Sequence, residues 1–241
     1  YSKAIKIAEN IKAAHDVKII FGGVHPTVDS YGTLSNDCID MICVGEGELA
    51  VSKLLNAMEN KKNYSNIPSI WIKKEGVIKS NPVHPLIQNI DELPFSDREL
   101  FDTRHVIVKS RDIHVIPVSA GRGCPYECPY CINYYLKKLY SGMGKIVRIK
   151  SVNRLIDEIK HIIQSYIIPE DSQIAFMDEI FTLNKTLLKE FCKVYKREIK
   201  LPFTCVTRID TIDHKTAKML KNTGCDTVFM SIESGNHNLR S

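Results

Sequence analysis

The stretch IHVIPVSAGRGCPYECPYCINYY, Ile113 to Tyr135, runs a β-branched segment straight into three closely spaced cysteines. Residues 113–119 read as a strand leading into the cysteine loop, with Ile and Val dominating its apolar run Ile113–Val118. The glycines and prolines that follow, Gly121, Gly123, Pro125 and Pro129, read as a tightly wrapped loop: glycine permits unusual backbone angles and proline fixes its own. Cys124, Cys128 and Cys131 are separated by three and then two residues. Thiolates are soft ligands that suit iron–sulfur clusters or zinc. Structural zinc takes four ligands, often as two CxxC-type pairs, and no fourth Cys or His lies nearby in sequence; His114 is on the preceding strand and His161 on a later helix. Three cysteines holding a 4Fe–4S cluster would leave one iron open for another ligand. A zinc-binding or redox-sensing loop is the alternative.

Downstream of the loop the pattern is regular. A helix over 151–167 carries Val152, Leu155, Ile156, Ile159 and Ile162 on one side. A strand over 173–177 ends at Met177-Asp178-Glu179, and a helix over 185–198, a strand over 203–207, a helix over 214–222 and a strand over 226–232 follow. Four β–α steps in a parallel rhythm are the start of a TIM-like barrel, whose sites lie at the C-terminal ends of the strands; four strands do not close one. Upstream, Ser2–His15 has helical spacing, Val17–Phe21 is a short strand stopped by Gly22-Gly23, and Cys38–Glu48 is a strand leading through a Gly-rich turn into a helix over Leu49–Met58. Alternation of this kind predicts a doubly wound α/β sheet. Ser69–Ser80 reads as a hairpin about Glu75-Gly76, and the segment from Asn81, with Pro82, Pro85 and Pro94, as a connector. The expected organisation is an α/β domain over 1–80, a connector over 81–110 and a barrel-type core over 111–241.

Composition narrows the class. Of 241 residues, 44% are hydrophobic and 25% charged, as in a soluble globular protein. The net charge of +5 is spread along the chain and argues little for a nucleic-acid partner. Apolar runs such as Val17–Phe21 fall far short of the roughly 20 residues that span a bilayer, and no charged and apolar leader is visible at the start. The chain begins at Tyr1 and stops soon after a strand-like run, so it reads as a piece of a longer protein. Eight cysteines without an export signal do not suggest a disulfide framework. Cys38, Cys43, Cys192, Cys205 and Cys225 read as small buried hydrophobes.

Cys124-x-x-x-Cys128-x-x-Cys131, with the aromatic Tyr130 before the last cysteine, resembles the signature of the radical S-adenosylmethionine superfamily. The order of Gly-rich strand ends, Pro-containing connector (Asn89–Asp102) and cysteine loop is similar to its cobalamin-binding branch over essentially the whole chain. The resemblance implies a partial Rossmann-like cobalamin-binding domain followed by the first half of a partial (β/α) barrel. It implies a 4Fe–4S cluster on Cys124, Cys128 and Cys131 whose open iron chelates S-adenosylmethionine, which one electron cleaves to a 5′-deoxyadenosyl radical. Tyr130 matches the position that the family places near adenine. Where relatives carry Gly-Gly-Glu at the second strand end, this chain has Met177-Asp178-Glu179 and then Ile-Phe-Thr, similar to an Asp-Asp/Glu-x-Phe-Thr variant of the cobalamin branch. Asp178 or Glu179 would accept from the methionyl ammonium. Arg208 at the third strand end suits a carboxylate, and Ser231 and Glu233 at the fourth would face cofactor hydroxyls or the sulfonium. Gly22, Gly23, His25, Gly45 and Gly47 would line cobalamin or its nucleotide tail. His25 does not stand in the Asp-x-His-x-x-Gly context of a lower ligand, and a degenerate domain that binds no cobalamin is the alternative. Ordinary turns, caps and surface ion pairs are the structural reading of each of these residues.

Within that family the commonest outcome implied is methyl transfer to an unactivated centre. Radical cyclases or oxidases come next, then tRNA methylthiotransferases. A zinc or iron–sulfur interaction module is the non-enzymatic alternative. The resemblance further implies a small-molecule or biosynthetic-intermediate substrate, a flavodoxin, ferredoxin or reductase as electron donor, and a cytoplasmic setting, since open clusters are oxygen-sensitive. Catalytic residues acting on the substrate are not identifiable from the sequence.

Overall fold

The computed structural model describes residues 1–98, 108–110, 113–166 and 168–236. Two compact units divide it: Tyr1–Ile87 with Tyr126–Lys145, and Gln88–Pro125 with Ile146 onward. The division falls inside the cysteine loop, so Cys124 belongs to the second unit and Cys128 and Cys131 to the first.

In the first unit, helix α1 (Ser2–Ala14) precedes strand β1 (Ile20–Phe21), short helices α2 (Val24–Val28) and α3 (Ser30–Leu34), strand β2 (Met41–Cys43) and helix α4 (Glu48–Glu59). Strands β3 (Ile70–Lys74) and β4 (Val77–Lys79) complete a sheet of order β1-β2-β3-β4. The β1–β2 pair is parallel, and β3 and β4 add antiparallel. Glu75 and Gly76 have φ of 51° and 78°, so the hairpin closes on two left-handed residues, the twist-compatible geometry for a two-residue loop. The Gly22–Thr27 segment, legible in sequence only as a loop, is in part the helix α2. Its Pro26 falls in the first turn, where no helical N–H is lost. Helix α5 (Ile132–Leu139), which follows the cysteines, also belongs here, and its Leu139 packs against the core of Leu34, Ile39, Ile42 and Val44.

The second unit holds β5 (Val108–Ser110), β6 (Ile113–Val118), the short pair β7 (Gly121–Arg122) and β8 (Arg148–Ile149), and α6 (Val152–Ser165). Strand β9 (Ser172–Phe176), α7 (Lys185–Glu198), β10 (Phe203–Val206), α8 (His214–Thr223) and β11 (Cys225–Phe229) follow. The main sheet has the order β11-β10-β9-β6-β5. β6, β9, β10 and β11 are parallel neighbours and β5 is antiparallel. Side-chain alternation with period two sends Ile116, Val118, Ile174, Phe176, Phe203 and Cys205 into the core under the three helices. There they meet Ile156, Ile159 and Ile162 of α6 and Phe191 and Tyr195 of α7. The helix starts are capped by Ser151, Asn184 and Asp213, each accepting from a backbone N–H of the first turn. With one face of the sheet buried under the helices, the C-terminal strand ends deliver Ser119, Met177–Glu179, Thr207–Arg208 and Met230–Glu233 together at one end.

Candidate functional site

Two contacts fix the start of the cysteine loop. Gly123 has φ of 82°, and a Cβ there would lie 2.1 Å from the Ile146 carbonyl oxygen. The close approach of the two segments requires glycine. From the neighbouring strand end, Asp178 accepts from the Ala120 N–H at 2.9 Å and the Gly121 N–H at 2.6 Å. Asp178 is 8% exposed, and burial pushes its carboxyl up to about 6 against the opposing pull of the two amides. Both of its oxygens are committed to the backbone entering the loop. Glu179 is exposed and makes no hydrogen bond among the described residues. Gly121, Gly123, Asp178, Glu179 and Phe181 line one small recess of about 30 Å³, so the structure brings the second strand end against the entry to the cysteines.

Further along, the Cys131 N–H donates to the Cys128 carbonyl at 3.0 Å, closing the CxxC segment as a turn, and Cys131 sits at the N-cap of α5. Buried Asn133 donates to Cys131 Sγ at 3.8 Å. Cys124, Cys128 and Cys131 are all partly exposed. Among the described residues no three His, Cys, Asp or Glu converge closely enough to hold a single metal ion. Tyr130 is 67% exposed.

Two of the residues just after Glu179, Phe181 and Thr182, have structural roles. Phe181 stacks on Phe176 at 4.4 Å and meets Phe191 at 5.2 Å. Buried Thr182 joins Thr207 and, at 2.6 Å, Thr211 in a triangle of hydroxyls, with Thr207 and Thr211 2.9 Å apart. Thr211 also donates to the Arg208 carbonyl at 2.8 Å. The network ties the Glu179 loop to the Arg208 loop. Arg208 itself makes a two-pronged pair with Asp210, Nε to Oδ1 at 3.1 Å and Nη2 to Oδ2 at 2.9 Å. At the fourth strand end, exposed Ser231 accepts from the Glu233 N–H at 3.2 Å, and Glu233 has φ of 64°.

In the first unit, Thr27 joins the two Gly-rich loops: its hydroxyl donates to Gly23 O at 2.7 Å and accepts from Gly45 N–H at 2.9 Å. Helix α5 reaches them too. Tyr135 Oη donates to Thr27 O at 3.2 Å, and the buried Tyr140 hydroxyl accepts from the Glu46 N–H at 2.7 Å. Gly45, with φ of 82°, has no room for a Cβ, which would stand 1.9 Å from Tyr140 Oη. Gly22, Gly23 and His25 are exposed, and the His25 ring stacks on Tyr1 at 3.7 Å; Gly45 and Gly47 are half-buried. The tyrosine contacts and the Asp178–amide bonds were not legible in sequence, since the bonded groups lie 57 to 108 positions apart; the Asn133 contact is local but carries no motif.

The profile of the Radical SAM superfamily matches residues 118–241. An uncharacterized methyltransferase of Pyrococcus horikoshii is 33% identical over 231 residues, 95% of this chain and 48% of the relative. The anaerobic magnesium-protoporphyrin IX monomethyl ester cyclase of Synechocystis sp. is 27% identical over 90% of this chain and 42% of its own length. Among solved structures, the radical S-adenosylmethionine methyltransferase TsrM of Kitasatospora setae, with cobalamin and a [4Fe-4S] cluster bound, superposes with a TM-score of 0.75 at 15% identity, over 98% of this chain and 46% of that one. The chain thus spans less than half the length of each.

Proposed function

The chain belongs to the radical S-adenosylmethionine superfamily, and on that premise we propose that it carries the cofactor-binding half of a cobalamin-dependent radical methyltransferase. The observation that carries this reading is the recess at the strand ends. It sets an outward-facing carboxylate, Glu179, beside the entry to a three-cysteine loop whose backbone Asp178 grips from below.

The donor set suits a 4Fe–4S cluster: three thiols in eight residues, a glycine that only a tight loop needs, and an N–H aimed at one sulfur. When bound, the cluster supplies the electron that splits S-adenosylmethionine into methionine and a 5′-deoxyadenosyl radical, and cobalamin supplies the methyl group. The protein's own part is positional. Cys124, Cys128 and Cys131 hold the iron. Asn133 donates to the Cys131 sulfur and tunes its basicity. Glu179 accepts from the methionyl ammonium, because it is exposed while buried Asp178 already accepts from two loop amides. Tyr130 presents a ring to adenine. Arg208 takes the methionyl carboxylate by exchanging Asp210 for it, and Ser231 and Glu233 meet the remaining polar atoms. Gly22, Gly23, His25, Gly45 and Gly47 line the corrinoid from the first unit, with Tyr140 and Thr27 fixing the loops that carry them. Residues 1–80 form the cobalamin-type domain, 81–110 the connector and 111–241 the radical core. A cytoplasmic, low-oxygen setting and a flavodoxin- or ferredoxin-type donor follow from such a cluster.

The 27% identity to a ring-forming relative supports a radical cyclase as the second reading. Iron and sulfide analysis with electron paramagnetic resonance on the anaerobically reconstituted full-length protein tests the cluster. Titration with hydroxocobalamin, followed in the visible spectrum with Gly45→Leu as control, tests the corrinoid. Four irons per chain, lost in each Cys→Ala variant, and a spectral change absent from Gly45→Leu are expected. Retained zinc with no iron signal would refute the reading.

A further inference from the structure

A second cavity lies in the second unit, at the edge of β6 beyond the reach of β5. It has a volume of about 430 Å³, the size that takes a whole small molecule. Its charged lining is lopsided. Arg98, Arg122, Lys150 and Arg154 face it, and among its described lining residues Glu158 is the one acid. Lys150 is spent locally: its ammonium donates to Glu158 Oε2 at 2.5 Å and to the Ser119 carbonyl at 2.8 Å. That pair occupies the acid, and two of the guanidiniums, Arg98 and Arg154, keep unused donors.

Each of these two is anchored through one N–H group. Arg98 donates from Nη2 to the Pro117 carbonyl at 2.7 Å. Arg154 donates from Nη2 to the Leu93 carbonyl, and its guanidinium carbon lies 3.7 Å over the Phe95 ring. Its Nε is buried and meets no acceptor. A guanidinium has five donors in a fixed fork, so each of these two has used only one. Burial works against the Arg98 charge, with Glu158 and Tyr166 opposing that loss. Arg98 and Arg154 are half-buried, and an anion that takes up their unused donors would offset the cost of holding their charge away from water. The remaining wall is apolar, from Ile90, Leu93, Pro94, Val118 and Met177. The floor is Ser119 and Gly121, the segment that leads into the cysteines, and Met177 precedes Asp178.

We propose that this cavity binds an amphiphilic anion, an apolar body carrying a carboxylate or phosphate that Arg98 and Arg154 clasp, and that such acids are the substrate class. The identification as substrate rests on the proposed radical function; the binding does not.

The test is calorimetry on the full-length, reconstituted protein at low salt with three probes of equal tail: octanoate, octyl phosphate and 1-octanol. One or both anions should bind at least tenfold tighter than the alcohol, and the tighter of the two names the headgroup. Arg98→Gln and Arg154→Gln should each weaken the anion at least tenfold, leave octanol unchanged, and leave substrate-free formation of 5′-deoxyadenosine intact. Equal binding of all three probes, no binding of any, or undiminished anion binding in the variants would overturn the proposal. So would a raised KM for S-adenosylmethionine in the variants, which would give the arginines to its carboxylate instead. The comparison of probes needs only the parent protein, so a variant that fails to fold cannot hide the answer. Anion binding in a protein that forms no 5′-deoxyadenosine would sink the functional reading and leave the cavity standing.

Discussion

Replacing Asp178 by Asn separates the grip on the cysteine loop from overall stability. The parent carboxylate accepts from two consecutive amides, Ala120 and Gly121. Asn keeps one acceptor and turns an NH₂ toward the other amide. That removes one charge-assisted hydrogen bond and leaves a buried donor unmatched, a loss of about 1.5–3 kcal/mol. The ionised acid has its own penalty. Burial lifts its carboxyl from 3.8 to about 6, and at about 1.4 kcal/mol per tenfold change in proton affinity the charged form costs about 3 kcal/mol in the fold. Asn is spared that penalty. That penalty is what remains after the pull of the two amides, so at pH 7.5 the melting temperature of Asp178→Asn should be equal to or somewhat above that of the parent. Local order should not survive: one of the two amides should exchange hydrogen at least tenfold faster, and cluster retention should fall. The pH dependence has a definite sign. The native carboxyl binds its proton more tightly than the unfolded one, so its contribution to stability falls as pH rises from about 4 to 6 and is constant above. The parent should therefore gain on the variant by up to about 3 kcal/mol as pH is lowered from 7.5 to 4. Urea melts at both pH values and exchange mass spectrometry read these out. Unchanged exchange at both Ala120 and Gly121, or outright unfolding of the variant at pH 7.5, would refute the reasoning.

Three further substitutions probe other contacts. Gly123→Ala forces a Cβ toward the Ile146 carbonyl oxygen at a left-handed φ; iron content after reconstitution should drop severalfold while far-ultraviolet circular dichroism is unchanged. Asn133→Leu removes the N–H directed at Cys131 Sγ, so potentiometry should find the cluster at a more negative potential. Tyr140→Phe strips the acceptor from the Glu46 N–H and should lower stability by about 1–3 kcal/mol in denaturant melts; the same change should partly rescue Gly45→Ala, whose Cβ meets that hydroxyl.

What was legible in the sequence was whatever local periodicity encodes. Val152, Leu155, Ile156, Ile159 and Ile162 show the inner face of α6 directly, and all five are buried. The β6, β9, β10 and β11 strands are short apolar runs with turn residues at their ends, and they pair in parallel as expected. The hairpin at Glu75-Gly76 carries its own turn chemistry. Other elements have no such local mark. Helix α5, INYYLKKL, is mostly aromatic and polar and opens directly on a cysteine. The β7–β8 pair is two residues long on each side and contains Gly121, so nothing in its composition says strand. At the site, the cysteine spacing was self-evident because it is sequence-local. Which of Asp178 and Glu179 faces outward was not, since the backbone amides that occupy Asp178 come from 57 and 58 positions earlier in the chain. Arg208 reads as a carboxylate binder from its strand-end position, but its partner Asp210 lies two residues on, and a pairing that short looks like any loop.

The central claim is that the three cysteines hold a cluster that cleaves S-adenosylmethionine. The most direct measurement is 5′-deoxyadenosine formation by the full-length protein, reconstituted anaerobically with iron and sulfide and supplied with S-adenosylmethionine and a low-potential reductant. Product from the parent, none from Cys128→Ala, and much reduced product from Glu179→Gln is the expected result. A parent protein with a full complement of iron and sulfide that yields no 5′-deoxyadenosine would contradict it.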